Sequence, residues 1–253
     1  MIKIKTDKQI GLMAESGKVT GRILHELKEI IRPGISTMDI DRFVEEEILR
    51  AGMVPTFKGY GGFPASACVS VNEELVHGIP NADRKLKSGD IVSVDIGATH
   101  QGWVSDAART YMVGEVSDTA ARLIRTAEES FFEGLKRCRT GYRLSDISHA
   151  IQARIEEEGF SVVLDYVGHG IGREMHESPQ VKNYGDPGHG PPLAKGMALA
   201  IEPMLNEGKA DVSTQDDGWT VVTRDGRLAG HYENTVIITE GEPLVITLDE
   251  RDK

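Results

Sequence analysis

Two aspartates, Asp95 and Asp106, lie in a stretch that alternates apolar and polar residues as two consecutive β-strands do. Gly89 to Met112 predicts a hairpin with its turn centred on His100-Gln101, which sets Asp95 opposite Asp106. Opposed Cβ atoms are about 4.5–5.5 Å apart, and like charges so placed destabilise a sheet. One or two divalent cations would remove that repulsion, so the hairpin predicts a metal site. The alternative is a pair of solvated aspartates on an exposed hairpin.

The elements that position these aspartates follow the order helix, helix, strands, and then the same order again. The predicted segments are helices from Thr6 to Pro33, from Thr37 to Gly52, over Asp118–Arg137 and over Ser145–Glu158, and strands over Ala67–Val71, Ile91–Met112, Met197–Glu202 and Ala229–Thr239. Residue pairs recur at an offset of 107, namely Arg32 and Arg139, Gly34 and Gly141, Asp39 and Asp146, Gly52 and Gly159, Gly89 and Gly196. Such self-similarity indicates an internal repeat. At the same offset Asp95 matches Glu202.

The last strand of the second half carries a further acid, Glu233, which we expect to play the part of Asp106. His-Gly-Ile also occurs in both halves, at His77 and at His169, with an offset of 92. We infer two similar αα-ββ halves about a pseudo-twofold axis, with the acids meeting between them.

Four carboxylates in one interior site cannot all stay ionised without counter-charges. They are Asp95, Asp106, Glu202 and Glu233. Two divalent ions about 3.5–4 Å apart, sharing bridging carboxylates, would neutralise them as in two-metal hydrolytic sites. His169, flanked by glycines that permit close approach and unusual backbone angles, is the candidate fifth ligand. Four oxygens and one nitrogen favour Mn, Fe, Co or Zn. A hydrogen-bonded core histidine is the alternative for His169.

Composition restricts the class of protein. The chain has 253 residues and a net charge of −11, which argues against stable binding to nucleic acid because phosphate recognition needs a basic face. Its two cysteines, Cys68 and Cys138, do not make a disulfide scaffold and suit a reducing compartment. Neither a signal peptide nor an apolar run of about 20 residues is evident, so we expect a cytoplasmic protein with no membrane contact.

The motifs together resemble a known enzyme family. VDIGATHQGWVSDAART, GHGIG, IEP, ENT and the upstream NEELVHGIP are similar to the type I methionine aminopeptidases of the bacterial kind. The resemblance extends from the first helix to the last strand. It implies an α+β pita-bread fold, with two αα-ββ halves and helices on the outer face of a curved antiparallel sheet. We expect one metallopeptidase domain over residues 1–253, with halves of about 1–115 and 116–253.

The resemblance also implies a role for each site residue. Asp95 would chelate one of two divalent ions, Asp106 and Glu233 would bridge them, and His169 and Glu202 would complete the other shell. Glu202 would be the general base for the attacking water, which the ions acidify. His176 would hydrogen-bond the substrate carbonyl and stabilise the oxyanion. His77 would contact the peptide nitrogen and assist its departure. The alternative for His176 is a loop histidine on the surface.

An apolar, narrow specificity pocket is implied for a methionine side chain. Its walls by resemblance are Tyr60, Phe63, Cys68 and Trp219, which without the resemblance are ordinary packing residues. Phe57 and Met175 match wall positions where the family often carries Cys and Phe. The implied reaction removes the initiator methionine from peptides and nascent chains with a small second residue, in a transient encounter at the ribosome. We expect a monomer.

Three relatives of the same fold are the alternatives. Proline-specific enzymes such as aminopeptidase P or prolidase share the metal ligands, but they are usually longer. A non-catalytic binding protein on this fold usually lacks several ligands, whereas this chain has all five. Type II methionine aminopeptidases carry a helical insertion between the GHGIG histidine and the next glutamate, and here only 32 residues separate His169 from Glu202.

Overall fold

A computed structural model of the chain describes residues 1–252. The four α-helices of this range are α1 Asp7–Ile30, α2 Thr37–Arg50, α3 Asp118–Leu135 and α4 Leu144–Glu157, with short 3₁₀ helices at Tyr60–Gly62 and Glu250–Asp252. The strands before α3 are β1 Val54–Pro55, β2 Ala67–Val71, β3 Glu74–Val76, β4 Ile91–His100 and β5 Trp103–Met112. Those after α4 are β6 Ser161–Val162, β7 Gly168–Gly170, β8 Glu177–Val181, β9 Ala198–Ile201, β10 Met204–Asn206, β11 Val212–Thr214, β12 Val221–Thr223, β13 Ala229–His231, β14 Asn234–Ile237 and β15 Leu244–Val245.

The helices begin where their sequence signals predict. Thr6 and Gln9 form a capping box at the start of α1, in which the Thr6 hydroxyl accepts from the Gln9 amide and the Gln9 side chain accepts from the Thr6 amide. The apolar stripe of α1, including Ile23, Leu24 and Leu27, is buried against β4 and β5. Helices α3 and α4 end two and one residues earlier than predicted, which is ordinary for helix ends.

The repeat at an offset of 107 is present in the backbone. Both ends of α4 lie 107 residues after those of α2. The isolated bridge between Ser36 and Lys85 recurs at the same offset between Arg143 and Pro192. The matched glycines also share positive φ angles, such as +94° at Gly34 and +97° at Gly141. Sequence and structure therefore repeat the same turns as well as the same helices.

The hairpin of β4 and β5 forms, but the predicted register is wrong by two residues. Asp95 pairs with Ala108, and Asp106 pairs with Gly97. The turn lies at Gln101-Gly102, where φ is +49° and +76°, as a two-residue type I′ turn requires. Since a shift of two residues preserves the faces of a strand, both aspartates stay on one face as diagonal neighbours.

The second half is less regular than the first. Strands β15, β14, β9, β7 and β8 form one antiparallel sheet in that order. The single strand predicted over Ala229–Thr239 is instead two short strands, β13 and β14, interrupted at Tyr232-Glu233. The strand predicted to end at Glu202 ends at Ile201, which pairs with Asn234. Glu202 and Glu233 thus project from backbone just beyond that ladder.

A pseudo-twofold axis passes between Ala108 and Glu233, which exchange both backbone hydrogen bonds at N···O distances of 2.9 and 3.4 Å. Two matching threonines flank it. The Thr110 hydroxyl donates to the His231 carbonyl and accepts from the His231 amide. The Thr235 hydroxyl does the same with Asp106. The symmetry therefore relates Asp106 to His231, and the expectation that Glu233 plays the part of Asp106 is wrong.

The shared His-Gly-Ile motif is not a structural equivalence either. His169 pairs with Ala200 in β9, and the residue at the matching place in the first half is Ser70, which pairs with Ser93 in β4. His77 lies instead in the loop after β3, with a φ of +60°. The two histidines share a motif but approach the centre of the molecule from different elements.

Each half has its own apolar core between helices and sheet. One core joins α1 and α2 to β2, β4 and β5, and the other joins α3 and α4 to strands that include β8, β9 and β14. A third apolar cluster, which includes Met13, Phe57 and Met175, lies in the interior between them. Among the described residues, no helix is both long enough and apolar enough to cross a lipid bilayer.

Candidate metal centre

A cavity of about 200 Å³ lies in the interior where the two halves meet. All eleven residues predicted for the site line it, namely Tyr60, Phe63, Cys68, His77, Asp95, Asp106, His169, His176, Glu202, Trp219 and Glu233. Residues from β2, β4, β5, β7 and the loops after β3 and β9 therefore converge on one volume. The cavity has an apolar, largely aromatic side and a carboxylate side.

Backbone packing around strand β7 positions His169. A Cβ atom on Gly168 would lie 2.4 Å from the Ala200 carbonyl oxygen, and one on Gly170 would lie 2.3 Å from that of Ser178. The glycines thus allow the close approach that was predicted, but neither has a positive φ, so the predicted unusual backbone angles are absent from this strand. His169 Nδ1 donates to the Gly170 carbonyl at 2.9 Å. The lone pair of Nε2 consequently faces the carboxylates.

Two imidazoles flank the carboxylate cluster. His169 Nε2 lies 3.6 Å from Asp106 Oδ2 and 3.5 Å from Glu202 Oε1. On the other side, His231 Nε2 lies 3.7 Å from Glu233 Oε2 and 3.9 Å from Glu202 Oε2. These spacings exceed normal hydrogen-bond lengths.

Burial changes the protonation of the whole cluster. It raises the pKa of Asp106 to about 8. Desolvation, followed by repulsion from Asp106, raises the pKa values of Asp95, Glu202 and Glu233 well above their usual range. Desolvation also lowers the pKa of His169 to about 4 and that of His231 to about 3, so both rings are neutral at pH 7. Neutral imidazole is the form that binds metal.

The residues of this cluster fit divalent ions. Within residues 1–252, Oδ1 of Asp95, Oδ1 of Asp106, Oε1 of Glu233 and both ring nitrogens of His231 are buried without a hydrogen-bond partner. Each such orphaned group costs about 1–3 kcal/mol. Two sets of possible ligands bring their atoms within 4.8 Å of one another, Asp95 with His231 and Glu233, and Asp106 with His169 and Glu233. Glu233 belongs to both sets, which is the arrangement that a bridging carboxylate requires.

His77 is held in the cavity by an unusual backbone conformation. Its φ of +60° is rare for a residue with a side chain. The next residue, Gly78, packs directly on β2, since its amide donates to Ser70 Oγ and its carbonyl accepts from the Val69 amide. A Cβ atom on Gly78 would lie 2.4 Å from the Val69 carbonyl oxygen. Desolvation lowers the pKa of His77, so this imidazole is neutral as well.

His176 lies at the mouth of the cavity, next to His169, with 4.3 Å between the ring centroids. Its Nδ1 is 2.8 Å from the Tyr60 hydroxyl. When that hydroxyl donates, Nε2 carries the proton and can donate to a ligand in the cavity. Desolvation, with a smaller contribution from His169, lowers the pKa of His176 to about 4.

The apolar side of the cavity is formed by the predicted wall residues. Phe63 and Trp219 pack edge to face with centroids 5.2 Å apart, and Cys68 is buried beside them. Phe57 and Met175 also line the cavity, as their match to wall positions implied.

Five further lining residues were missed in the sequence, namely Val76, Tyr166, Val167, Met204 and His231. His231 shares a strand face with Glu233, two residues away, and that spacing was a usable signal. Tyr166 packs edge to face on His77 at a centroid distance of 5.8 Å. It lies in a loop after β6, where no periodicity could have placed it.

Comparison with known proteins identifies the family. The model of "Metallopeptidase family M24" matches residues 11–240. A methionine aminopeptidase of Clostridium acetobutylicum is 54% identical over 250 residues, which cover 99% of this chain and 100% of the relative. The chain belongs to the methionine aminopeptidases of metallopeptidase family M24.

Solved structures confirm the fold. The crystal structure of methionine aminopeptidase from Thermotoga maritima matches with a TM-score of 0.97 and 47% identity, covering 98% of this chain and 100% of the other. An Xaa-Pro dipeptidase from Bacillus anthracis matches with a TM-score of 0.76 and 25% identity, and the match covers 96% of this chain but 61% of that one. The α+β pita-bread architecture is therefore confirmed, and the proline-specific alternative is not favoured.

Proposed function

We propose that this protein removes the N-terminal methionine from peptides and newly made proteins, using two divalent metal ions held by the cavity's carboxylate side. The observation that carries the proposal is a small apolar chamber that ends directly at a buried cluster of carboxylates and imidazoles. A volume of about 200 Å³ is below the 300–1,000 Å³ of drug-sized pockets. It suits one side chain, as an enzyme that removes a single terminal residue requires.

Each side of the cavity has its own task in this proposal. Tyr60, Phe63, Cys68 and Trp219 bind the methionine side chain and exclude water from it. Asp95, Asp106, His169, Glu202 and Glu233 would hold two divalent ions of Mn, Fe, Co or Zn, with Asp106 and Glu233 as the candidate ligands common to both. Ions bound there supply Lewis-acid chemistry, because they acidify water and polarise a carbonyl oxygen.

The side chains around the scissile bond transfer protons and stabilise the charge that develops there. Glu202 lies between the two imidazoles, 3.5 Å from His169 and 3.9 Å from His231, and its carboxylate takes the proton of the attacking water. His176, whose Nδ1 accepts from Tyr60, donates from Nε2 to the oxyanion that forms. His77 contacts the peptide nitrogen and assists its departure.

The remaining elements of the proposal concern the context of the reaction. We propose nascent chains with a small second residue as the substrates, a transient encounter at the ribosome, a monomeric protein and a cytoplasmic location. The net charge of −11 is consistent with no stable nucleic-acid complex.

The test is release of free methionine from Met-Ala-Ser, with Met-Pro and Ala-Pro peptides alongside, by metal-stripped protein to which Mn, Co, Fe or Zn is returned. We expect metal-dependent cleavage of Met-Ala-Ser and none of Ala-Pro peptides. Cleavage confined to Ala-Pro would assign the protein to the proline-specific enzymes. The absence of cleavage with every metal would instead support a binding protein that has kept the site.

A further inference from the structure

The five-ligand set leaves one buried imidazole of the cavity without a role. His231 is 2% exposed, and neither of its ring nitrogens has a hydrogen-bond partner within residues 1–252. Buried polar side-chain atoms are normally paired. Its ring lines the same cavity as the carboxylates, so a group that binds its ring nitrogens would lie in that cavity.

The backbone fixes where this ring lies. The Thr110 hydroxyl bonds both the amide and the carbonyl of His231, at 3.0 and 2.8 Å. Thr235 bonds Asp106 in the same way across the pseudo-twofold axis, at 3.0 and 2.9 Å. His231 therefore occupies, in the second half, the place that a carboxylate of the cluster occupies in the first.

The distances from His231 Nε2 to the neighbouring carboxylate oxygens fit joint coordination of one metal ion. Two ligand atoms bound to one ion at about 2.0–2.2 Å each can lie no more than about 4.3 Å apart. His231 Nε2 is 3.7 Å from Glu233 Oε2 and 3.9 Å from Glu202 Oε2, too far for hydrogen bonds. His169 Nε2 has nearly the same spacing, 3.5 and 3.6 Å, from its own pair of carboxylates.

We propose that His231 is a sixth protein ligand of the metal centre, bound to the ion that Asp95 and Glu233 hold. This inference rests on the proposed metal-dependent function and extends its ligand set. Each of the two ions then has one imidazole ligand, His169 on one side and His231 on the other. A nitrogen ligand favours Co, Fe and Zn over Mn at the second position.

The test compares His231→Gln with wild-type protein, using His149→Gln on the exposed face of α4 as the matched control. Metal-stripped protein is titrated with Co²⁺ and with Mn²⁺, and bound metal is measured by equilibrium dialysis and elemental analysis. We expect two ions in the wild type, and in His231→Gln a Kd for one ion raised by about 10–100-fold, the size of effect that even outer-shell changes produce. The increase should be larger for Co²⁺ than for Mn²⁺, and His149→Gln should match the wild type.

A second measurement on the wild type removes any dependence on the folding of the variant. With two Co²⁺ ions bound to protein labelled with ¹⁵N-histidine, two imidazoles should show the contact shifts of direct coordination, as distinct from the through-space shifts of His77 and His176, which lie in the same cavity. A single imidazole with contact shifts, or unchanged Kd values in His231→Gln, would overturn the sixth ligand while leaving the proposed function intact. Failure of the wild type to bind metal would overturn both, whereas two bound ions without cleavage of Met-Ala-Ser would overturn the proposed function alone.

Discussion

Cys68 pairs directly with Asp95 across strands β2 and β4. The first is a wall residue of the apolar pocket and the second belongs to the carboxylate cluster, so one rung of a sheet joins the two sides of the cavity. The backbone hydrogen bonds of β2 and β4 therefore fix the separation between the apolar wall and the carboxylate cluster. Variants that probe metal binding separately from the pocket are better placed on β5, which carries Asp106.

Asp106→Asn should abolish both metal binding and turnover. Asp106 is 2% exposed and Oδ1 has no hydrogen-bond partner among the described residues, so the substitution removes a shared negative charge without changing the size of the side chain. We expect kcat/KM for Met-Ala-Ser to fall by more than about 100-fold, the upper end for loss of a second-shell partner. Elemental analysis reports the metal content. Asp186→Asn, at an exposed loop position, is the control, and normal activity in Asp106→Asn would contradict the two-metal site.

Replacement of His77 should slow the reaction and leave metal binding intact. His77 is outside both sets of possible ligands found in residues 1–252. His77→Ala removes the imidazole, and His77→Asn does so with a residue that tolerates the φ of +60°. For both we expect kcat to fall by about 10²–10⁴-fold, the usual contribution of a proton-transfer group. Loss of metal from His77→Asn would show that the histidines have been assigned the wrong roles.

The metal-free protein should become less stable between pH 6.5 and 8. Asp106, with its pKa raised to about 8, keeps its proton in the folded state, whereas the unfolded chain loses it at a pKa near 3.8. The folded state therefore binds more protons in this range, and the free energy of unfolding falls by about 1.4 kcal/mol per pH unit for each such proton. His169 and His231, whose pKa values are lowered, reduce the stability of the folded protein only as the pH falls below about 6.5.

Urea unfolding at pH 6.5, 7.2 and 8 measures this slope. Saturating Mn²⁺ or Co²⁺ should flatten it, because bound ions keep the carboxylates ionised in the folded state. Asp106→Asn should reduce the slope of the metal-free protein. A stability that rises with pH over this range would contradict the raised carboxyl pKa values.

Replacement of two glycines of α1 by alanine should change the free energy of unfolding in opposite directions. A Cβ atom on Gly17 would lie 2.3 Å from the Ile246 carbonyl oxygen, whereas one on Gly11 meets no atom within 4 Å. Gly11→Ala should stabilise the protein by about 0.5–1 kcal/mol because alanine is the better helix former. Gly17→Ala should destabilise it by about 1–3 kcal/mol because the helix must move away from the C-terminal segment. Equal shifts in the urea midpoint would contradict this packing.

Local patterns predicted the four helices and strands β2, β4, β5 and β9, whereas most of the short strands were not predicted. The capping box at Thr6, the predicted helix end at Gly52 and the alternation over β4 and β5 each depend on residues a few positions apart. The register of the hairpin was mispredicted because the Gln101-Gly102 turn, which has positive φ at both residues, was not recognised. The break at Tyr232-Glu233 was missed because it results from pairing with Ala108, a contact between halves.

The sequence by itself determined the repeat, the family and the eleven residues that line the cavity, since all of these are recorded in residue types and their spacing. Only the tertiary structure decided which residues are equivalent across the axis. Alternation along one strand cannot show that Asp106 and His231 are related, because that relation depends on hydrogen bonds to Thr110 and Thr235 between strands far apart in the chain. The structure likewise placed an imidazole without a hydrogen-bond partner beside Glu202 and Glu233, because burial and the absence of a partner are properties of packing in three dimensions.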